Sequence, residues 1–330
     1  MTKTGGNTLS NQLISVIIPV FNEEENIERA YLAIVEEFKK HVDVDFEIIF
    51  TDNASTDSTF AELSRIASQD SRVRVLSFVR NFGFQRSILA GYRCAKGDAA
   101  IQIDCDLEDP PSVFTEFLRL WREGHDVVIG IRSQRIEPRY MIFMRRLYYK
   151  ILGRISDMPH KVDAGDFRLV DRRILNQLHQ INDFQPYVRG LISELARNQT
   201  GVHYQRNKRE FGSSKFPFRQ LVRMATEGMY ACSTTPLRVA NYLGTTIAFF
   251  ASALMFLYLI LRIFSSEPIP EGFTTTTILI LFGISINALL LGIIGEYIGR
   301  IYNQLRPRPL VVVAKSLNID HENISSLHGK

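Results

Sequence analysis

The chain has 330 residues, a formal net charge of +4 and 45% hydrophobic residues, enough for one large globular domain and a further membrane-associated part. The cysteines, Cys94, Cys105 and Cys232, are odd in number and lack the spacing of metal ligands, which argues against a disulfide framework or a zinc site. Residues 1–12 are polar and contain no apolar signal-peptide segment, so we expect a flexible N-terminus and a domain that is not secreted.

Short apolar segments alternate with amphipathic ones through the first part of the chain. Strands are predicted at residues 13–20, 46–50, 73–78, 99–103 and 127–131. Strands that alternate with helices predict a doubly wound α/β sheet, whose ligands bind beyond the carboxyl ends of the strands. The sequence contains neither a Gly-x-Gly-x-x-Gly fingerprint nor a Walker loop, which argues against a dinucleotide dehydrogenase or a P-loop nucleotidase.

Polar residues follow each of the first three predicted strands, namely Asn22 and Glu23, Asp52, and Arg80. At these positions Asp52 could accept a hydrogen bond from a ribose or a base, and Arg80 could contact a phosphate. The alternative is that Asp52 caps a helix and that Arg80 is an ordinary surface charge.

Asp104 and Asp106 follow the fourth predicted strand. Alternate residues of a strand point to the same side, so the two carboxylates can converge while Cys105 turns away. Two carboxylates together with a substrate diphosphate are a common way of holding Mg²⁺. The sequence therefore predicts a Mg²⁺ or Mn²⁺ site at Asp104 and Asp106, against the alternative of a solvated acidic turn.

The second half of the chain becomes basic and then strongly apolar. Basic residues interleave with aromatic and aliphatic ones, which favours interface helices at about 139–153 and at 216–235, with lipid rather than nucleic acid as the partner. Two uncharged windows predict a transmembrane hairpin within 236–303, with spans at about 239–262 and 273–299. Because arginines flank the outer ends of the hairpin, both termini, including the tail at 304–330, are expected in the cytoplasm.

A cationic segment lies between the predicted sheet and the predicted membrane part. It carries Arg206, Arg209 and Lys215 around Gly212 and Ser214, and its donors suit a phosphate. Its alternative role is to hold the domain on anionic lipid. Asp166, in the glycine-bearing segment 165–169, would by itself be read as part of an ordinary turn.

Several of these segments together resemble the inverting family 2 glycosyltransferases with a GT-A fold that attach a sugar to a polyprenyl phosphate. The segments are VIIPVFNEE (16–24), RNFG (80–83), DCDLEDPP (104–111), GDFRL (165–169), REFGSSK (209–215) and GEYIGRIY (295–302). The resemblance covers about residues 13–312. The family often has Asp and Gly where this chain has Asn53 and Ala54, and commonly Ala and Gln where it has Cys105 and Glu108.

The resemblance implies a GT-A catalytic domain at 13–215, a nucleotide-sugar donor, a divalent metal, a lipid-phosphate acceptor and assembly into a homo-oligomer such as a tetramer. The implied donor-binding residues are Pro19, Phe21, Asn22, Glu23, Asp52, Arg80 and Asp104. The implied catalytic residues are Asp104, Asp106 and Asp166, and the acceptor phosphate is assigned to Arg206, Arg209, Ser214 and Lys215. The implied location is the inner (plasma) membrane, as a multi-pass protein.

The wording of the motifs favours transfer of glucose from UDP-glucose to undecaprenyl phosphate, with aminoarabinose or mannose as alternative sugars. A processive polysaccharide synthase would carry Gln-x-x-Arg-Trp, whereas the single tryptophan, Trp121, lies in another context. A non-enzymatic membrane scaffold would leave Asp104, Asp106 and Asp166 without a role.

Overall fold

The computed structural model describes residues 11–133, 164–181, 183, 186–207, 272–306 and 309–320, together with Leu327 and separate positions between 237 and 260. Both predicted interface helices, at about 139–153 and 216–235, lie outside the described residues. The same holds for Arg209, Ser214 and Lys215 of the predicted acceptor site.

The first part of the chain alternates strictly between strands and helices. The elements are β1 (Gln12–Val20), α1 (Ile27–Phe38), β2 (Val44–Asp52), α2 (Thr59–Gln69), β3 (Val73–Phe78), α3 (Phe84–Cys94), β4 (Ala99–Gln102), a 3₁₀ turn (Pro111–Val113), α4 (Phe114–Arg122) and β5 (Val127–Arg132). Each helix buries one side. In α1, for example, Ile27, Ala30, Ile34 and Phe38 recur at helical spacing and face the sheet.

The remaining described elements extend this sheet and add one long helix. They are β6 (Ala164–Asp171), α5 (Arg172–Gln180), α6 (Val188–Leu195), β7 (Gln199–Tyr204), α7 (Phe273–Leu305) and β8 (Val313–Leu317). The strands form one sheet in the order β7-β5-β6-β4-β1-β2-β3-β8. The sequence predicted β1 to β5 close to these bounds.

The centre of the sheet is parallel and its flanks are mixed. β1 pairs in parallel with both β2 and β4, and β2 pairs in parallel with β3. The predicted doubly wound α/β pattern thus holds for these four strands. β6, by contrast, is antiparallel to both β4 and β5, which makes the whole a mixed sheet.

The segment around Asp166 corrects one interpretation of the sequence, since an isolated reading of 165–169 gave a turn. It lies within β6, between β4 and β5. The strand is difficult to recognise from the sequence, because it contains a glycine and because charged residues alternate with apolar ones. Phe167 and Leu169 face one apolar layer, while Arg168 is buried on the opposite face of the sheet. The sheet neighbours supply the backbone hydrogen bonds that a local pattern cannot reveal.

Two apolar layers cover the sheet. One contains residues of α1, α2 and α4, and the other contains residues of α3, α5 and α6. Gly91 lets α3 approach the sheet closely, because a Cβ there would lie 2.3 Å from Cγ2 of Ile17. Cys94 and Cys105 are buried within these layers and form no disulfide with another described residue.

The last described strand returns to the same sheet. β8, inside the range predicted as a tail, pairs antiparallel with β3. Asn318 then donates from Nδ2 to the carbonyls of Ala67 and Val73 at 2.9 and 2.8 Å. The first described part and the last are consequently one folded unit at this edge.

The long helix α7 covers the second predicted span, and many of its large apolar side chains are exposed. The first predicted span is described only at separate helical positions. Within the described part of the chain, no helix combines the length and the continuous apolar character required to cross a bilayer. The described residues therefore do not bear out the predicted transmembrane hairpin.

Candidate active site

The ends of β1 and β2 are fastened to each other by their loops. Asn22, at a positive φ of 55°, donates from its backbone N to Ser55 Oγ at 2.9 Å and accepts from Thr56 N at 2.8 Å. Glu23 donates from its backbone N to Thr59 Oγ1 at 2.9 Å. These two predicted donor-site residues thus lie at the carboxyl edge of the sheet and hold its loops together.

Asp52 lies at the end of β2 and is only 1% exposed. Its Oδ1 accepts from Ser55 N at 2.9 Å, and its Oδ2 accepts from Ser77 Oγ at 2.8 Å. Because Ser58 is the residue that precedes α2 as N-cap, Asp52 is not the cap of that helix. Both of its oxygens stabilise the loop, and its contact with a ribose or a base stays a prediction.

The other predicted donor-site residues differ in exposure. Pro19 is buried in β1 opposite Thr51, whereas Phe21 and Arg80 are exposed, with the Arg80 guanidinium 4.5 Å from the centre of the Phe82 ring. Ala54 has a φ of 61°, which explains why glycine is common at this place in the resembling family.

Asp104 and Asp106 lie just beyond β4. Asp104 Oδ1 accepts from Gln102 Nε2 at 3.1 Å, and Asp106 Oδ1 accepts from the backbone N of Glu108, also at 3.1 Å. The second bond closes a tight turn in which Leu107 takes a positive φ of 55°. The two carboxylates are therefore held on a short, well-connected loop.

These carboxylates suit a metal that takes its remaining ligands from a substrate. Over the residues that the structure describes, no group of three or more His, Cys, Asp or Glu side chains could hold an ion by itself. Two carboxylate oxygens with a diphosphate would satisfy Mg²⁺, which commonly uses one or two carboxylates and substrate phosphates. The donor set fits a substrate-bridged ion and not a closed structural site.

Strand register brings Asp166 to the same place. The described β4–β6 ladder ends with the pair Gln102 and Arg168, and Asp104 and Asp166 each lie two residues beyond it, close enough for the charge of Asp166 to act on Asp104. Arg189, from the first turn of α6, donates from Nε to Asp166 Oδ1 at 2.6 Å and from Nη2 to Asp166 Oδ2. The Asp166 carboxylate, which the resemblance implies to be catalytic, is thus held by two hydrogen bonds from one guanidinium.

The carboxylates of Asp104 and Asp166 have opposite protonation tendencies. Burial raises the pKa of Asp104 to about 7, and the charges of Asp166, Asp109 and Asp106 add to this effect. Burial also opposes ionisation of Asp166, but the hydrogen bonds and charge of Arg189, with the charges of Arg168 and Arg132, bring its pKa below the usual value. Asp104 is therefore surrounded by other negative charges, which a bound cation would offset, whereas Asp166 already has cationic partners.

Arg206, predicted to bind the acceptor phosphate, is paired with carboxylates of the loop that follows Asp106. Its guanidinium forms an ion pair with Glu108 and approaches Asp109 Oδ1 to 3.5 Å. The residue just after β7 is thus fastened to the loop that follows Asp106. The proposed contact of Arg206 with an acceptor phosphate would have to compete with these carboxylates.

Sequence reasoning missed several side chains of this site. Asp109 is buried and accepts from Tyr204 Oη at 2.5 Å and from Arg132 Nη2 at 3.1 Å. Asp109 belongs to the DCDLEDPP segment, which was a usable signal. Arg132, Arg189 and Tyr204 gave none, because their partners lie far away in the sequence.

Comparisons with known proteins match the chain to a family and to a solved structure. Residues 15–178 match the family described as Glycosyl transferase family 2. Glucosyl-3-phosphoglycerate synthase from Mycobacterium tuberculosis aligns with a TM-score of 0.43 and 24% identity, over 66% of this chain and 79% of that one.

Relatives among curated proteins match nearly end to end. The uncharacterized glycosyltransferase YkcC of Bacillus subtilis is 34% identical over 311 residues, 94% of this chain and 96% of that protein. The bactoprenol glucosyl transferase of Shigella phage SfII is 35% identical over 308 residues, 92% of this chain and 98% of that protein. The chain belongs to glycosyl transferase family 2, with a GT-A-like mixed α/β sheet, and is a glycosyltransferase.

Proposed function

We propose that this enzyme transfers glucose from UDP-glucose to a polyprenyl phosphate such as undecaprenyl phosphate, at the cytoplasmic face of the plasma membrane. The observation that carries this proposal is the near full-length similarity to a protein named bactoprenol glucosyl transferase, at 35% identity over 92% of this chain. The proximity of Asp104 to Asp106 and Asp166, whose charges act on it, supports the proposal chemically.

The donor would bind across the carboxyl ends of β1, β2 and β4. Asp104 and Asp106 would hold Mg²⁺ or Mn²⁺ there, and the bound ion would stabilise the negative charge of the leaving diphosphate. Asn22 and Glu23 hold the neighbouring loops in place through their bonds to Ser55 and Thr59. The loops after β1 and β2 would thus form a rigid binding surface for the nucleotide, and the carboxylates after β4 would lie close to its phosphates.

The acceptor does not need a strong base. A phosphate monoester has a second pKa of about 6, so at pH 7 it is largely a dianion and already nucleophilic. Its oxygen forms the bond to the anomeric carbon while the bond from that carbon to the diphosphate breaks, and the electron pair leaves with the diphosphate. Asp166, held as a carboxylate by Arg189, suits orientation better than proton removal.

A polyprenyl tail requires an apolar surface close to the site. α7 exposes a set of large apolar side chains, which includes Leu279, Ile280, Phe282, Ile284, Leu291, Ile294, Ile298 and Ile301. Surface of this extent and character marks contact with lipid or with a protein partner. We infer that these side chains contact lipid, which would hold the protein at the membrane where the proposed acceptor resides.

The test is a transfer assay. Membranes that contain the protein are incubated with radiolabelled UDP-glucose, undecaprenyl phosphate and Mg²⁺ or Mn²⁺, and the lipid extract is separated by chromatography. We expect a labelled lipid that mild acid converts to free glucose. Absence of labelled lipid with UDP-glucose, and its appearance with GDP-mannose or UDP-aminoarabinose, would refute the glucose assignment and keep the acceptor. No product with any donor would refute the acceptor.

A further inference from the structure

The carboxylate of Asp166 is held from outside its own strand. Arg189 approaches it with two parallel hydrogen bonds, Nε to Oδ1 at 2.6 Å and Nη2 to Oδ2. The Asp166 side chain is 11% exposed and that of Arg189 is 34% exposed. A two-point contact of this kind fixes both the position and the plane of the carboxylate, which a single hydrogen bond cannot do.

The backbone that carries Arg189 is itself anchored. Val188 and Ile192, on either side of it in α6, are buried in the apolar layer shared with α3 and α5. The backbone N of Val188 also donates to Gln85 Oε1 at 3.0 Å, which ties the beginning of α6 to the beginning of α3. The guanidinium therefore approaches Asp166 from a fixed point, and its placement does not depend on the exposed surface.

On the face of the sheet where Asp166 lies, the side chains change from apolar to polar as β6 approaches the candidate site. Val170 and Ala100 pack in the apolar layer, and the next facing pair along β6 and β4 is Arg168 and Gln102. Arg168 is 2% exposed and its Nη1 has no hydrogen-bond partner among the described residues. Asp166 follows on the same face of β6 and its charge acts on Asp104, so any rotation of its carboxylate changes the charge that Asp104 experiences.

We propose that Arg189 is a positioning residue for sugar transfer, which acts by holding the Asp166 carboxylate in one orientation near Asp104. The inference rests on the proposed function of this site but names a residue and a role that the family resemblance did not supply. Arg189 acts through Asp166, so its removal affects the transfer step and leaves the donor in place. Lysine at this position keeps the charge but loses the two-point contact.

The experiment compares Arg189→Lys and Arg189→Ala with the wild type in the transfer assay. We expect kcat to fall at least tenfold in Arg189→Lys and at least a hundredfold in Arg189→Ala, while the KM for the nucleotide sugar stays within threefold. Asp166→Ala and the double variant Asp166→Ala with Arg189→Ala complete a cycle. The double variant should lose no more activity than Asp166→Ala alone, because the two residues act as one unit.

Arg72 provides the matched control. It makes the same kind of two-point contact with Asp70, at 3.0 and 2.8 Å, with 48% and 11% of the two side chains exposed. It precedes β3 and so lies at the amino edge of the sheet, away from the site. Arg72→Ala should keep the wild-type kcat. A second readout is rescue of Arg189→Ala by millimolar guanidinium, which a loss of folding would not permit.

The outcomes separate this inference from the proposed function. If the wild type transfers no sugar, the proposed function fails. If the wild type is active and both Arg189 variants keep its kcat, the positioning role fails. A rise in the KM for the lipid phosphate at unchanged kcat would also overturn it, because Arg189 would then bind the acceptor directly. Should Arg189→Ala not fold, the split between kcat and KM in Arg189→Lys decides the question.

Discussion

Asp104 and Asp106 are two residues apart, yet their surroundings differ. Asp104 is close to Asp166 and has a raised pKa, whereas Asp106 accepts from Glu108 N and so shapes the loop. Their position after an apolar strand was readable from the sequence, because an apolar segment is a local signal. The same-side argument from strand alternation does not apply to them, because β4 ends at Gln102 and a loop carries both carboxylates. The contact of Arg189 with Asp166 was not readable from the sequence, because it depends on how α6 packs against the sheet.

Replacement of Asp106 by Asn tests the proposed metal site. It removes one charge from the pair and should lower kcat roughly a hundredfold or more, since a bound metal contributes several kcal/mol to stabilisation of the leaving group. The measurement is transfer at saturating donor, beside wild-type enzyme treated with EDTA. Asp43→Asn, at an exposed residue paired with Arg122, is the control and should be fully active. Undiminished turnover in EDTA would contradict the role of a metal.

Glu47 offers a residue-scale prediction about stability. Its carboxylate accepts from Ser15 Oγ at 2.6 Å, from Lys96 N at 2.7 Å and from Arg74 Nη1 at 2.6 Å, all in a buried setting. Glu47→Gln leaves the charge of Arg74 buried without its counter-ion and should cost about 3 kcal/mol of unfolding free energy. Thermal unfolding measures the loss, with Glu36→Gln of the exposed pair with Lys39 as a control that leaves the midpoint nearly unchanged. Equal midpoints for both variants would contradict the prediction.

At the scale of elements, residues at the ends of β5 and β7 hold the loop that follows β4. Tyr204 and Arg132 bond to Asp109, Arg206 pairs with Glu108, and Asn207 N donates to the Glu108 carbonyl at 2.8 Å. β7 and β5 are parallel neighbours, so the loop after β4 is fixed by the far side of the sheet. This contact gives Asp104 and Asp106 a rigid support.

Tyr204→Phe should loosen that support without removing a charge. The lost hydrogen bond to the buried Asp109 carboxylate should cost about 2 kcal/mol of stability, and the freed loop should raise the KM for the donor several-fold. Tyr31→Phe is the matched control, because Tyr31 Oη donates to Asp70 Oδ2 at 2.9 Å outside the site. A donor KM that rises equally in both variants would indicate a general effect and would contradict the support role.

The elements also differ in how far the sequence reveals them. β1 to β4 are buried on both faces and appear as continuous apolar segments followed by helices, so their order and parallel arrangement were predictable. β6, β7 and β8 were missed. β8 has exposed residues at Ala314 and Lys315, and among the described strands it pairs with β3 alone, so its pairing partner and not its own composition makes it a strand.

For the molecule as a whole, the sheet forms the catalytic unit. α7 presents an apolar surface, and the residues that follow α7 pair with this sheet as β8. The homo-oligomer implied by the resemblance stays a prediction, and mass measurement of the detergent-solubilised protein checks it. The proposed cytoplasmic location is also a prediction. β8 ties the residues after α7 to the edge of β3, so these residues and the catalytic sheet belong to one folded unit, and the proposed location applies to both together.

Asn318 tests how strongly this end is held. It has a φ of 55° and its side chain bridges the carbonyls of Ala67 and Val73. Asn318→Ala loses both hydrogen bonds and keeps the strained backbone, so it should cost about 2 kcal/mol. Asn318→Gly should lose less, because glycine adopts this φ without strain. Thermal unfolding of the two variants gives the order, and a more stable Ala variant would contradict the argument.

The pairing of β3 with β8 also has a consequence for synthesis on the ribosome. β3 emerges early, but its outer edge stays unpaired until residues 313–317 have been translated, after all of α7. During that interval the nascent chain exposes an open strand edge, the kind of surface on which chains aggregate. A ribosome that stalls within α7 would release a polypeptide with this edge uncovered, and such fragments should depend on chaperones more than the finished protein does.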